Sequence, residues 1–342
     1  MTYKIDILPR ILHFRQPAGT SRGVYTLRRI YLLRLTSPSS PQCEAWGECA
    51  PLPALSQDDL PSYQEILRHS CKDFEQTGII NYEALRPYPS ILFGIETALL
   101  HFQAKSSRLF STPFSCGEEG IPINGLVWMG SYDEMLERIE QKLALGYHCI
   151  KLKIGAIHFD QELELLQIIR SHYPSTKIEL RVDANGAFTP TEALRKLEKL
   201  AHFDLHSIEQ PIRAGQYSQM AELCKQTPVP IALDEELIGV NTLSQKQQLL
   251  QHLQPQYIIL KPSLHGGISG GQEWIDVATE YCIPYWITSA LESNVGLNAI
   301  AQWTASLPDH KLRPQGLGTG QLFTDNIPSP LTIIGDKLWF KE

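Results

Sequence analysis

This 342-residue sequence lacks paired cysteines, long apolar runs and long runs of charge of one sign, and each absence excludes a class of protein. The seven cysteines are scattered and form no C-x-x-C pair, which argues against a structural zinc site or a disulfide framework. No apolar run is long enough for a bilayer span or a signal peptide, since even residues 91–100 are interrupted by Glu96. We therefore expect a cytoplasmic protein with free thiols and no membrane partner.

The charged residues of the two signs are also nearly balanced in number. The 30 basic and 37 acidic residues give a net charge of -7, and neither sign forms a long run, so the basic surface of a nucleic-acid-binding protein is missing. Hydrophobic residues make up 43% and aromatic residues 9%, which is an ordinary globular composition. We expect a globular protein that binds a small molecule and no nucleic acid; its oligomeric state is not predicted.

The residue pattern changes near residue 121. Before it, residues 5–14 and 25–35 suit strands of a small antiparallel sheet, and residues 60–74 and 91–105 have helical spacing. After it, short apolar segments alternate with amphipathic helical segments. The candidate strands are 122–128, 149–154, 177–182, 205–208, 230–233, 257–260 and 284–288. Such continuous apolar strands are typical of parallel sheets, so this α/β rhythm predicts a β/α barrel behind an α+β domain.

Polar side chains fall at the carboxyl ends of these candidate strands, spaced 25 to 30 residues apart from the second strand onward. They are Lys151 and Lys153, Asp183, Glu209, Asp234, Lys261 and Ser289. The carboxyl ends of barrel strands share one mouth, which is where barrel enzymes place their active sites. The sequence therefore predicts one polar site rather than six separate ones.

Three of these residues are carboxylates on adjacent strands. Asp183, Glu209 and Asp234 can converge as oxygen ligands of a hard divalent cation, and Mg²⁺ is favoured, with Mn²⁺ as a substitute. A single carboxylate in such a position is more often a solvated loop residue or a helix cap. Three in register beside lysines favour the cation site.

The lysines have a spacing of their own. Lys151 and Lys153 point to the same side of a strand, which is the barrel interior if Leu152 and Ile154 pack outward. Burial and a neighbouring lysine lower the pKa of a lysine, while nearby carboxylates oppose that shift. A lysine tuned in this way can act as a base near neutral pH. Lys261 belongs to the sixth strand, across the barrel.

Five segments, KLKIG, RVDANGAF, SIEQP, ALDEEL and ILKPSLHGG, resemble in order and spacing the enolase superfamily and its muconate-lactonizing-enzyme-like subgroup. The resemblance covers essentially the whole chain. It implies a (β/α)7β modified TIM barrel over residues 121–319, and an α+β capping domain over residues 1–110 that is completed by residues 320–342. It also implies that the three carboxylates bind Mg²⁺, that Lys153 is the second lysine of a catalytic K-x-K motif, and that Lys261 is the lysine on the opposite face.

Within the subgroup, three segments most resemble its dehydratases: WGECAPLP at 46–53, SALESNVGL at 289–297 and GLGTGQLF at 316–323. The Asp-x-Asp that dipeptide epimerases typically carry on the last strand is missing. The resemblance implies conversion of the small carboxylate 2-succinyl-6-hydroxy-2,4-cyclohexadiene-1-carboxylate to 2-succinylbenzoate in menaquinone biosynthesis. Lys153 would remove the α-proton, a metal-stabilised enediolate would form, and Lys151 would tune Lys153.

Other interpretations stay open. An N-acylamino acid racemase or dipeptide epimerase would use the same proton removal. A barrel aldolase would form a Schiff base through Lys261, and a binding protein would use the site without catalysis.

Further residues receive weaker predictions. Asn185 and Glu235, next to the candidate ligands, are expected to orient carboxylates or lysines. Candidate substrate contacts are Ser289, Glu292, Gly316, Gly318 and Arg22. Ser289 and Glu292 could instead cap a helix, and Arg22 could be an ordinary solvated arginine.

Overall fold

The computed structural model describes residues 2–20, 23–40 and 42–342. The first part of the chain forms an antiparallel sheet of β1 (Lys4–Thr20), β2 (Gly23–Thr36) and β3 (Ala45–Cys49), in that order. Three helices follow, α1 (Tyr63–Thr77), α2 (Tyr82–Leu85) and α3 (Pro89–Ala104). Alternate sheet residues such as Leu33 and Leu35 pack with Phe74 and Ile95 in a core of their own. The predicted antiparallel capping sheet is confirmed.

A curled parallel sheet follows the two-residue strand β4 (Ile121–Pro122). Its strands lie side by side in chain order: β5 (Gly125–Val127), β6 (Cys149–Lys153), β7 (Glu179–Asp183), β8 (Ser207–Glu209), β9 (Ile231–Leu233), β10 (Tyr257–Leu260) and β11 (Tyr285–Ile287). The connecting helices are α4 (Tyr132–Ala144), α5 (Phe159–His172), α6 (Pro190–Leu200), α7 (Tyr217–Gln226), α8 (Leu243–Leu253) and α9 (Gly267–Glu280), and α10 (Asn294–Ser306) follows β11. The predicted α/β alternation is therefore present.

In the described ranges this sheet contains seven strands, and no eighth strand lies between β11 and β5. Two residues span that gap instead. The Gly316 N–H donates to the Ile287 carbonyl at 2.8 Å, and the Gln315 N–H donates to the Pro122 carbonyl at 2.8 Å. The Asn124 N–H donates in turn to the Gln315 carbonyl at 3.0 Å. The curled sheet agrees with the predicted architecture, while the eighth strand of the expected (β/α)7β barrel is reduced to these bridges.

The last residues contact both parts of the protein. Phe323 forms a bridge with Phe14 of β1, and the Thr324 N–H donates to the His13 carbonyl at 2.9 Å. Farther on, β12 (Leu331–Ile334) and β13 (Lys337–Phe340) form a hairpin, whose second strand pairs with β4. The domain boundaries given above remain a prediction. None of the described helices has both the length and the apolar character needed to cross a bilayer.

The orientation of β6 follows from hydrophobic packing. Leu152 is fully buried among the helices, together with Val182 of β7 and Ile208 of β8. Burying each such side chain stabilises the fold by roughly 1.5–3 kcal/mol. Because side chains alternate along a strand, Lys151 and Lys153 must then point into the barrel.

Candidate active site

Six buried charged side chains lie together at the carboxyl ends of five neighbouring strands. They are Lys151 and Lys153 of β6, Asp183 of β7, Glu209 of β8, Asp234 after β9 and Lys261 after β10. The three lysines line a cavity of about 210 Å³, which Leu52 and Leu55 of the capping part also line. The structure thus brings together the three lysines and three carboxylates that the sequence places at the strand ends.

The lysines and carboxylates alternate in space. Lys151 Nζ lies 3.0 Å from Asp183 Oδ2 and also donates to Glu209. Lys153 Nζ lies 2.7 Å from the same Asp183 oxygen. On the other side, Lys261 Nζ pairs with Asp234 and lies 3.9 Å from Glu209 Oε1. Each buried charge therefore has a partner of opposite sign, which offsets much of the cost of removing it from water.

The pKa of Lys151 differs from the expectation that burial and a neighbouring lysine would lower it. Burial lowers the pKa of Lys151, but the charges of Asp183 and Glu209 outweigh burial, and the net pKa is raised. The pKa of Lys261 is likewise raised, because Asp234 and Glu209 outweigh its burial. Burial opposes ionisation of Asp183, yet the adjacent lysines hold its pKa well below the usual range. The carboxylates thus decide the direction of the pKa shifts of Lys151 and Lys261.

Asn185 connects the lysines to the candidate ligands. Its Oδ1 accepts a hydrogen bond from Lys153 Nζ at 2.7 Å, and its backbone N–H donates to Asp183 Oδ1 at 3.0 Å. Its Nδ2 donates to Glu235 Oε1 at 3.0 Å. Asn185 and Glu235 therefore stand where they can orient the site, as the sequence analysis proposed.

The five candidate substrate contacts differ in where they lie. Ser289, Gly316 and Gly318 line the cavity. Glu292 is fully buried behind Ser289, whose hydroxyl donates to it at 2.5 Å. The Ala290 N–H donates to the same carboxylate at 2.7 Å, so these bonds hold Glu292 away from the cavity wall. Glu292 is not among the residues that line this cavity, and its contact with substrate stays a prediction. Arg22 lies outside the described residues.

Several residues of the site were not predicted. Trp128 lines the cavity, with its ring centroid 5.8 Å from Lys153 Nζ. Thr319 also lines the cavity and donates to Ser289 Oγ at 2.8 Å. His265 Nδ1 accepts the Lys261 backbone N–H at 3.0 Å, and burial lowers the pKa of this histidine to about 3. The sequence signal for His265 is its position four residues after Lys261. Trp128 has the sequence pattern of an ordinary core residue, so the sequence does not mark it as part of the site.

The carboxylates fit a divalent cation by their chemistry. Glu209 Oε1 and Asp234 Oδ1 are buried, and no N–H group or hydroxyl of the residues described donates to either oxygen. Burial opposes ionisation of Asp234, but the Lys261 charge and a hydrogen bond from the Glu209 carboxyl lower its pKa. Burial, reinforced by the Asp183 charge, raises the pKa of Glu209. Buried carboxylate oxygens of this kind are the ligands that Mg²⁺ prefers.

The three carboxylates pair with the lysines. Across the described ranges, no three His, Cys, Asp or Glu side chains form a ready metal cluster. Lys151 pairs with both Asp183 and Glu209, and Lys261 pairs with Asp234. A bound cation would therefore compete with these ammonium groups for the carboxylate oxygens.

Comparison with known proteins defines the class. Residues 134–339 match the enolase C-terminal domain-like family, and residues 24–102 match the MenC N-terminal domain. Together with the buried lysines and carboxylates at the strand ends, these matches define an enzyme of the enolase superfamily.

The similarity extends further within that superfamily. The chain is 45% identical to the o-succinylbenzoate synthase of Desulfotalea psychrophila, with 96% of each chain covered. The crystal structure of MenC from the same organism superposes with a TM-score of 0.83, at 39% identity over 99% of this chain and 100% of that one. The N-succinylamino acid racemase of an Amycolatopsis species is 26% identical, over 94% of this chain and 88% of the relative. The chain belongs to the o-succinylbenzoate synthase family of hydro-lyases.

Proposed function

We propose that this enzyme dehydrates 2-succinyl-6-hydroxy-2,4-cyclohexadiene-1-carboxylate to 2-succinylbenzoate in menaquinone biosynthesis. The observation that carries the proposal is the placement of two lysines around one cavity. Lys153 on β6 and Lys261 after β10 both line it, and the three strands between them carry the carboxylates. The 45% identity to an o-succinylbenzoate synthase supports this choice of substrate.

Asp183, Glu209 and Asp234 would hold Mg²⁺, or Mn²⁺ in its place. When bound, the cation supplies positive charge to the substrate carboxylate and so makes the adjacent C–H bond more acidic. The buried oxygens of Glu209 and Asp234 support this assignment, because no N–H group or hydroxyl of the described residues donates to them.

Lys153 acts as the base. Asn185 Oδ1 accepts a hydrogen bond from its Nζ, and it can do so whether the lysine is an amine or an ammonium group. The nitrogen is therefore kept in place while its charge changes. The amine removes the α-proton, and the resulting ammonium group delivers a proton to the departing hydroxyl. One C–H and one C–O bond break, water leaves, and the ring becomes aromatic.

Lys261 acts through its charge. As an ammonium group opposite Lys153, it stabilises negative charge that develops on the substrate. Lys151 pairs with Asp183 and Glu209 beside Lys153. Both ammonium groups contact the same Asp183 oxygen, so Lys151 stands where it would tune Lys153.

An N-acylamino acid racemase is the second candidate. The 26% identity to an N-succinylamino acid racemase over 94% of the chain favours it, as do the two lysines on different sides of the cavity. A dipeptide epimerase is a weaker candidate, because the last segment carries no Asp-x-Asp for a substrate ammonium group.

The test is a side-by-side assay of the purified chain with Mg²⁺. Dehydration is followed by formation of the aromatic product, and racemisation by chiral analysis of N-succinyl amino acids. We expect kcat/KM to be higher for the cyclohexadiene carboxylate. A higher value for an N-succinyl amino acid would favour the racemase, and binding without turnover would indicate a binding protein. Inactivation by borohydride with substrate, together with indifference to EDTA, would indicate a Schiff-base aldolase.

A further inference from the structure

Gln210 directly follows Glu209 at the end of β8 and is fully buried. Its φ of 39° lies in the left-handed region of backbone conformation, which residues other than glycine rarely adopt. A residue persists in such a conformation when the surrounding structure holds it there. The contacts of Gln210 show what holds it.

The main chain of Gln210 joins the strands on both sides. Its N–H donates to the Ala232 carbonyl of β9 at 3.0 Å. Its own carbonyl accepts the Gly186 N–H at 2.7 Å, in the loop that carries Asn185 after β7. The backbone on which Glu209 stands is therefore tied to the segments that carry the other two carboxylates.

The side-chain amide of Gln210 uses both of its ends. Its Oε1 accepts the backbone N–H groups of Asp234 at 3.2 Å and Glu236 at 3.3 Å. Its Nε2 donates to the Ile212 carbonyl at 3.0 Å and to Glu236 Oε2 at 2.8 Å. Glu236 is itself held, because its Oε1 accepts the Gly215 N–H at 2.7 Å. The amide thus fixes the backbone of Asp234 from outside the cavity.

We propose that Gln210 is a positioning residue that sets the separation of Asp183, Glu209 and Asp234 for a divalent cation. It does not line the cavity, so its effect passes through the backbone of the three strand ends. The inference rests on the proposed function in one respect, namely that these carboxylates hold the cation. Groups that orient metal ligands typically contribute about 10- to 100-fold to metal affinity.

The hydrogen bond between Gln210 and Glu236 allows a reciprocal test. Gln210→Glu keeps the shape and the acceptor oxygen, but it removes both donors and sets a carboxylate against Glu236. Adding Glu236→Gln reverses the pair, so that the new amide at position 236 donates to the new carboxylate at position 210 and still accepts the Gly215 N–H. Only the bond to the Ile212 carbonyl stays lost in the double variant.

The measurement is calorimetric titration of the full chain with Mn²⁺ in the absence of substrate, alongside thermal unfolding in EDTA. We expect Gln210→Glu to raise the Kd for Mn²⁺ by about 10- to 100-fold, and the double variant to recover most of that loss. If Gln210→Glu does not fold, Gln210→Met replaces it in the experiment. We expect Gln210→Met to weaken Mn²⁺ binding, and we expect that adding Glu236→Gln to it does not restore the binding.

Gln256 provides the matched control. It accepts the Ile231 N–H at 2.8 Å and donates to the Cys224 carbonyl at 2.9 Å, at the opposite end of β9. Gln256→Glu should lower the unfolding temperature and leave the Kd for Mn²⁺ unchanged. An unchanged Kd in Gln210→Glu or Gln210→Met would overturn the positioning role. Failure of the unaltered chain to bind Mn²⁺ would instead overturn the proposed cation site.

Discussion

Replacing Lys153 with alanine is the sharpest perturbation of the proposed mechanism, because one amine is assigned two proton transfers. General base and general acid catalysis each contribute about 10²- to 10⁴-fold. Losing both should lower kcat by about four decades or more, which corresponds to at least about 5 kcal/mol in the activation barrier.

The structure indicates that Lys153→Ala still folds. Asp183 keeps Lys151 Nζ at 3.0 Å and the Asn185 N–H at 3.0 Å, so its charge stays paired. Asn185 Oδ1 loses the donor from Lys153, at a cost of about 1–3 kcal/mol for a buried group. That cost is small beside the roughly 5–15 kcal/mol by which a typical domain is stable. The fall in activity therefore has to come from chemistry.

The assay compares single-turnover dehydration rates with the free energy of unfolding in urea. Lys246→Met is the control, because Lys246 is a buried lysine that pairs with Glu273 outside the cavity. Glu273 keeps its partner Arg86, so this variant should lose stability and retain kcat. If Lys153→Ala kept more than about a tenth of the original kcat, the loss would be well short of that expected for a general base. That result would contradict the assignment of both proton transfers to Lys153.

Three further predictions concern the cation, the second lysine and pH. EDTA should abolish turnover, and Mg²⁺ or Mn²⁺ should restore it; full activity in chelator would contradict the cation site. Asp234→Asn should weaken Mn²⁺ binding and leave the circular dichroism spectrum unchanged. Lys261→Arg keeps the charge but cannot give up a proton, so dehydration should remain measurable while racemisation of N-succinyl amino acids is lost, and equal loss of both would count against the division of roles. Burial raises the pKa of Glu96 to about 7 from 4.5, so the folded state binds this proton more tightly than the unfolded state, and stability should fall as pH rises from about 4.5 to 7. Glu96→Gln should reduce that fall in urea titrations, and an unchanged pH slope would show that Glu96 does not cause it.

Local sequence patterns specify which residues can meet in the folded protein. Leu152 between Lys151 and Lys153 specifies the inward side of β6, because strand alternation is a local property and apolar side chains seek the helices. The repeating spacing of strand ends likewise places Asp183, Glu209 and Asp234 at one edge of the sheet.

How these residues act on one another depends instead on contacts between distant parts of the chain. The net rise in the pKa of Lys151 depends on its distances to Asp183 and Glu209, which no periodicity encodes. The two-residue bridge at Gln315 and Gly316 carries too few residues to show a strand pattern. The contacts of Gln210 join segments that follow three different strands. Their physical basis is packing between segments distant in the chain, and for that reason local sequence patterns could not contain them.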